Sequence, residues 1–391
     1  MSLLGSNNVA DRALDGIIVV SLEQAIAAPF ASRQLADHGA RVIKVERPDG
    51  GDFARLYDKR ARGQSSHFIW ANRSKESVCL DLKSESGKKT LRELIERCDV
   101  FIQNLRPGVC ESLGFGTDRI REINANCITC SISGYGNGGP LEQRKAYDLL
   151  IQGESGFLSV TGTEDSVCKA GVSIADIAAG MYAYSNILTA LISRQKGGAA
   201  RHIEVSLLDA MTEWMGYPLY YCLDGQPPPK RTGASHGSIF PYGPYEVKGG
   251  ETFLIAIQQD REWQAFCRQV LHKPELAEHA SYATPVKRLA ALHILQPIVA
   301  QSVLELSADT LVERLERGNV AFAQVKSVPE VWTHPQLLAR SRFVEIDTPN
   351  GKVPALLPPG TTLNSARMDS VPALGEHTEK VLAWLKEPSD V

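Results

Sequence analysis

Residues 16–48 read GIIVVSLEQAIAAPFASRQLADHGARVIKVERP. Gly16–Leu22 is a short apolar run rich in β-branched residues, which predicts a buried strand. Phe30–His38 repeats its apolar residues at helical spacing and stops at Gly39, and Arg41–Glu46 reads as the next strand. The alternation continues with a strand at Ser77–Leu82, a helix at Glu85–Arg97, a strand at Val100–Gln103, a short helix at Asp118–Asn124 and a strand at Cys127–Ser133. Strands and helices in this rhythm predict an α/β fold built on an open, mainly parallel sheet. Ligands of such sheets sit beyond the carboxyl ends of the strands, which directs attention to residues 25–29, 47–55, 104–108 and 134–140.

Beyond Leu149 the chain reads as mostly helical up to Cys222, interrupted by a strand at Arg201–Ser206. The Pro- and Gly-rich stretch GQPPPKRTGASHG, residues 225–237, marks a domain boundary. A hairpin is expected from Pro244–Val247 and Thr252–Ile257, followed by helices to about Arg317. Then come a strand at Val320–Val325, a helix at Val328–Ser341, a hairpin turning at Asn350-Gly351 and a terminal helix after Glu376. The expected division is a large Rossmann-like domain over 1–224, a smaller α+β domain over 225–320, and a return to the large domain over 321–391.

At 391 residues the chain has ample capacity for a sizeable core. Its formal net charge of −3, with acids and bases well mixed, gives no global electrostatic reason to bind nucleic acid or an anionic membrane. Eight cysteines scattered through apolar segments read as buried thiols of a cytoplasmic protein rather than a disulfide framework. The opening residues MSLLGSNNVADRALDG lack a basic stretch followed by an apolar one, and no run is long enough to span a bilayer.

Chemistry points to Asp176, in AGVSIADIAAGMYAYSNILTALISRQ (170–195), near the start of a long small-residue helix. Ser173-x-x-Asp176 also fits a capping box, in which the acid satisfies an orphan backbone N–H. The two readings are compatible, because a helix N-terminus stabilises and orients an ionised carboxylate. Ala178, Ala179, Gly180 and Ala183 make a small face that admits a close neighbour, whether ligand or helix. GYGNGG at 134–139 matches G-x-G-x-x-G, but the polar residues after it do not open the apolar helix that a dinucleotide site requires. Cys127-x-x-Cys130 lies in a predicted strand without a second ligand pair, so no metal site is assigned. Basic residues placed after strands, Arg47, Arg55, Arg60, Arg62, Lys75, Lys83, Arg106 and Lys145, are candidates for the phosphates of a nucleotide-like ligand.

Over nearly its whole length the chain resembles the class III (CaiB/BaiF) coenzyme A transferases. The resemblance rests on residues 21–55, NRSKESVCLDLK (72–83), NLRPGVCESLGFG (104–116), SISGYGNGGP (131–140), AYDLLIQGESGFLSVTG (146–162), the Asp176 segment and LGEHTEKVLAWL (374–385). It implies that Asp176 is the nucleophile that attacks an acyl-CoA thioester. It places CoA contacts on Ile26, Ala27, Arg47, Leu80, Lys83, Asn104, Leu105, Arg106, Lys145, Tyr147 and Asp148. Coenzyme A enters as substrate, and neither a metal nor a nicotinamide is implied. Ser112 stands where some members carry an arginine. The family also implies an intertwined homodimer.

HFIWANRSKES, ESGFLSVTGTED and VAFAQVKSV resemble the branch that handles short dicarboxylates, with succinyl-CoA as donor and itaconate, citramalate, malate or mesaconate as acceptor. An intramolecular mesaconyl-CoA C1–C4 transfer belongs to the same branch. A distal carboxylate needs a cation, for which Arg55, Arg62, His67, Arg231 and His236 are the candidates. Two other readings remain. An α-methylacyl-CoA racemase needs a base where this chain has Tyr147, in Ala146-Tyr147-Asp148, and a phenol of ordinary pKa near 10 serves poorly at neutral pH. A non-catalytic CoA-binding protein could share the fold, against which the retained aspartate argues.

Overall fold

Val19 and Val20 are neighbours in the chain yet fully buried in different cores, as a strand covered on both faces requires. A computed structural model describes residues 12–388 and divides them into two contact-defined units.

The first unit comprises residues up to Phe157, then Ala170–Tyr217, then the segment from Gln336 onward. Its sheet holds β1 (Ile18–Leu22), β2 (Arg41–Glu46), β3 (Lys75–Cys79), β4 (Val100–Gln103), β5 (Ile128–Ser133) and β6 (His202–Ser206). The order is β3-β2-β1-β4-β5-β6 and every pairing is parallel. The order reverses between β1 and β4, so the ligand crevice of such a sheet opens beyond Leu22 and Gln103. One face is covered by helices Ala27–Asp37, Ile174–Gln195 and Leu207–Trp214, the other by Glu85–Arg97, with Val381 of the terminal helix Thr378–Lys386 in the same core. Glu85–Arg97 buries Leu91, Leu94 and Ile95 on one stripe, each contributing about 1.5–3 kcal/mol. A small hairpin, β10 (Phe343–Ile346) with β11 (Val353–Leu356), turns at Asn350-Gly351.

The second unit comprises Leu158–Lys169 and Pro218–Pro335. Its antiparallel sheet is β7 (Tyr242–Glu246), β8 (Thr252–Ala256) and β9 (Ala321–Gln324), packed with helices around the buried Trp263, Phe266, Leu295 and Leu311. Ala321–Gln324, expected to open the return to the large domain, instead pairs with β8, so the chain re-enters the first unit only at Gln336.

Three further expectations are corrected. The first helix begins at Ala27, not Phe30, because Pro29 falls in its first turn, where the missing N–H costs no hydrogen bond. The helix expected over Val328–Ser341 is two short ones, Val328–Val331 and Pro335–Ala339, separated where Pro335 disfavours helical backbone in the residue before it. β3 starts two residues and ends three residues earlier than expected, because its register is set by pairing Lys75–Cys79 with Val42–Glu46.

Candidate active site

The helix that carries Asp176, Ile174–Gln195, is not capped by its own Ser173, whose side chain makes no capping bond. The cap comes from Asp148, the first residue of helix Asp148–Glu154. Its Oδ1 accepts Ala175 N–H at 2.7 Å and Asp176 N–H at 3.3 Å. Asp148 Oδ2 accepts Gln152 Nε2 at 2.6 Å, and Gln152 Oε1 accepts Ala170 N–H at 2.9 Å. The local capping box expected at Ser173–Asp176 is therefore replaced by a cap from elsewhere in the chain, which releases the Asp176 side chain from that task.

Asp176 is half-buried. The helix N-terminus favours its ionised form by about 0.3–2 kcal/mol. Burial and then the charge of Asp148 oppose this and win, pushing its pKa from an ordinary 3.8 up to about 7. Tyr57 is pushed up to about 12 by burial and by the charges of Asp52 and Asp176, with Tyr147 contributing, which sets its phenol in the same electrostatic neighbourhood. Tyr57 packs edge-on against His67 at 5.3 Å, and His67 Nδ1 lies 3.3 Å from Asp58 Oδ2. Sequence reasoning missed Tyr57; its signal is an aromatic two residues past the predicted ligand segment 47–55, at i+4 from Phe53 within that segment, and the two rings pack with centroids 5.6 Å apart.

The small face behind Asp176 is helix packing. A Cβ at Gly180 would lie 2.7 Å from the Ala27 carbonyl oxygen, so glycine is what lets the two helices meet. The turn before Ala27 is held by charge. Ala25 adopts φ 61°, with its N–H donated to Asp52 Oδ1 at 3.0 Å. Asp52 Oδ2 receives Lys44 Nζ at 2.8 Å, and Glu23 Oε1 receives Lys75 Nζ at 2.7 Å and Lys44 Nζ at 3.3 Å. All four side chains are buried. Burial raises and the two ammonium groups lower the Glu23 pKa, with a net decrease. Lys44, facing two carboxylates, is raised despite burial, whereas burial draws Lys75, facing one, down to about 7. Lys75 is thus a core cation, not a phosphate ligand as its place in the sequence implied.

The other expected site residues fall as follows. Ile26, Ala27 and Leu80 are buried; Arg47, Lys83, Arg106, Lys145 and Tyr147 are exposed. Arg47 donates to the Gly51 carbonyl at 3.1 Å. Asn104 clamps the backbone of Gln24 with two bonds of 2.8 Å, and Leu105 N–H is held by Gln103 Oε1 at 2.8 Å. Arg55 is paired with Glu46 at 2.6 and 2.8 Å beneath a ring contact to Phe68, and Arg62 adopts φ 52°. Arg231 and His236 belong to the second unit. There Arg231 donates to the carbonyls of Thr163 and Glu164, both at 2.8 Å, and His236 stacks on Tyr242. In the glycine-rich loop, Gly134 lies against Ala146, and Asn137 N–H donates to Glu204 Oε1 at 2.6 Å. Cys127 and Cys130 sit in different cores, Cys127 with its Sγ 3.5 Å from that of Cys98. Cys168 and Cys222 are exposed, contrary to the expectation of buried thiols. Among the described residues no group of acidic, histidine and cysteine side chains is arranged to hold a metal, and no helix is long and apolar enough to cross a membrane.

A family model described as CoA-transferase family III matches residues 14–378. The chain belongs to that family. It is 33% identical over 382 residues to the human succinyl-CoA:glutarate CoA-transferase, covering 96% of this chain and 86% of the relative. It is 31% identical over 348 residues to the succinyl-CoA:mesaconate CoA-transferase of Haloarcula marismortui, covering 86% of each. The crystal structure of a CAIB/BAIF family protein from Brucella suis is similar with a TM-score of 0.86 and 32% identity, covering 96% of this chain and 100% of that one. The chain is therefore a CoA-transferase, with coenzyme A thioesters as its substrates.

Proposed function

We propose that the protein moves coenzyme A from succinyl-CoA to a short dicarboxylic acid of the C4–C5 class, such as itaconate, through covalent intermediates on Asp176. The observation that carries this reading is a half-buried, unusually basic carboxylate at the front of a helix in a family III chain. A carboxylate pushed up to about 7 is a stronger nucleophile than an ordinary one and is still ionised in part at neutral pH.

In this scheme an Asp176 oxygen attacks the thioester carbonyl and the C–S bond breaks, giving a mixed anhydride and CoA thiolate. The thiolate attacks the aspartyl carbonyl, forming an aspartyl-CoA thioester and releasing succinate. The acceptor carboxylate then attacks that thioester, and returning thiolate takes the acceptor acyl group, regenerating Asp176. Every step exchanges one activated acyl bond for another, so water must be kept out. The names of the glutarate and mesaconate relatives support a dicarboxylate acceptor. Arg62, in the same unit as Asp176, is the cation we propose for the distal carboxylate, with the imidazole of His67 as a second polar contact, since the Arg55 guanidinium is already held by Glu46 through two bonds. The CoA phosphates would be met by Arg47, Lys83, Arg106 and Lys145.

An intertwined homodimer would cover the exposed tyrosines of helix Gly216–Tyr221, of which Tyr217 and Tyr220 are 70% and 75% accessible. The test is a panel of acceptor acids, itaconate, mesaconate, glutarate, malate and citramalate among them, assayed with succinyl-CoA. Asp176→Ala should abolish exchange with every acceptor while leaving the oligomeric state intact, and wild-type rates in that variant would refute the assignment.

A further inference from the structure

Asp148, which the resemblance places among the CoA contacts, has no chemical step in that scheme, yet it is the residue the structure ties most directly to Asp176. We propose that Asp148 is the positioning residue of the nucleophile: its carboxylate fixes the first turn of the helix that bears Asp176 and sets a second negative charge beside it. The inference rests on the reading of Asp176 as the acylated group.

Three donors converge on this one carboxylate, Ala175 N–H, Asp176 N–H and Gln152 Nε2, and Gln152 in turn holds Ala170. The chain from Ala170 to Asp176 is thereby pinned at both ends by helix Asp148–Glu154. A serine at the N-cap position would satisfy one orphan donor as well, and Ser173 stands there unused. What an aspartate adds over that serine is charge. That charge opposes the ionisation of Asp176, so the nucleophile stays more basic than the helix terminus alone would leave it.

Other titratable groups near the front of the helix are Tyr147, preceding Asp148, and Tyr57, in the turn after Phe53–Leu56. Packed on the same helix, Ala27–Asp37 carries Arg33 and Asp37, paired at 3.0 Å, and Leu207–Trp214 carries Asp209 and Glu213.

The test compares wild type, Asp148→Asn and Asp148→Ala in the succinyl-CoA half-reaction over the pH range. Asparagine keeps an oxygen for Ala175 N–H and removes the charge; alanine removes both. For Asp148→Asn the kcat/KM profile should keep its ascending limb but with its midpoint lowered by about 1 pH unit or more. Its plateau rate should fall about tenfold as the nucleophile loses basicity. Asp148→Ala should lose a further tenfold or more in kcat with a smaller change in KM, as a misplaced nucleophile would. A merely structural role would lower stability and leave the midpoint where it is.

An Asp148→Asn profile superimposable on that of wild type overturns the proposal. So does a wild-type midpoint near that of an ordinary carboxylate, a result that needs no variant to fold. Peptide mass spectrometry of the wild type under turnover runs alongside: acylation at Asp176 with an unmoved midpoint sinks this inference alone, whereas acylation elsewhere sinks the reading beneath it.

Discussion

Replacing Asp176 by asparagine preserves the size of the side chain and removes its charge, so the variant should be more stable than the wild type, and only above acidic pH. The interval between an ordinary 3.8 and about 7, at about 1.4 kcal/mol per pH unit, corresponds to about 4 kcal/mol against ionisation in the fold. Water reaching this half-buried group screens part of it, leaving about 2–4 kcal/mol. Below about pH 4 the acid holds its proton folded and unfolded, so the two proteins match on this account. Between about pH 4 and pH 7 the unfolded chain gives the proton up while the fold retains it, and the wild type loses ground as pH rises. Above about pH 8 the gap is constant. Urea unfolding of the full chain and its Asp176→Asn variant at several pH values, followed through the transition of the first unit, reads this directly. A difference that does not change with pH, or a variant less stable than wild type at pH above 8, would refute the claim that burial and Asp148 disfavour the charge.

Two packing and charge predictions follow from the same neighbourhood. Gly180→Ala gains about 1 kcal/mol of helix propensity but drives a methyl toward the Ala27 carbonyl oxygen, at 2.7 Å, and overpacking costs about 1–3 kcal/mol. The urea midpoint should therefore fall, and KM for the acyl-CoA should rise with the displaced Ala27 turn; an unchanged KM would show that this turn does not meet the ligand. Glu23→Gln leaves Lys75 without a carboxylate and Lys44 with Asp52 alone, and should cost about 3–5 kcal/mol in equilibrium unfolding. A loss below about 1 kcal/mol would mean that the network does not carry the turn.

Strong periodicity made part of the fold legible: Arg41–Glu46, Glu85–Arg97 and Val100–Gln103 have the bounds read from sequence, because apolar spacing and flanking residues agree there. Proline misleads in both directions, since its effect depends on its position in the turn: the helix expected to begin after Pro29 contains it in its first turn, and the single helix expected across Pro335 breaks before it. Asp176 stood out because its segment resembles that of a known family. Its cap did not, because Ser-x-x-Asp describes a local bond and Asp148 supplies it from 27 residues away. Likewise, a lysine near a strand looks the same in sequence whether it faces solvent, as Lys83 does, or lies within the sheet beside Glu23, as Lys75 does. Only the packed core decides between the two.

The account turns on acyl transfer through one oxygen atom of Asp176. The protein is incubated with succinyl-CoA without an acceptor, quenched with hydroxylamine and digested, and the peptide spanning Ala170 to Arg194 is weighed. An aspartyl hydroxamate at Asp176, formed with succinyl-CoA and missing with free coenzyme A, is the predicted result. An unmodified peptide from protein that is actively exchanging coenzyme A, or a hydroxamate on another acid, would contradict it.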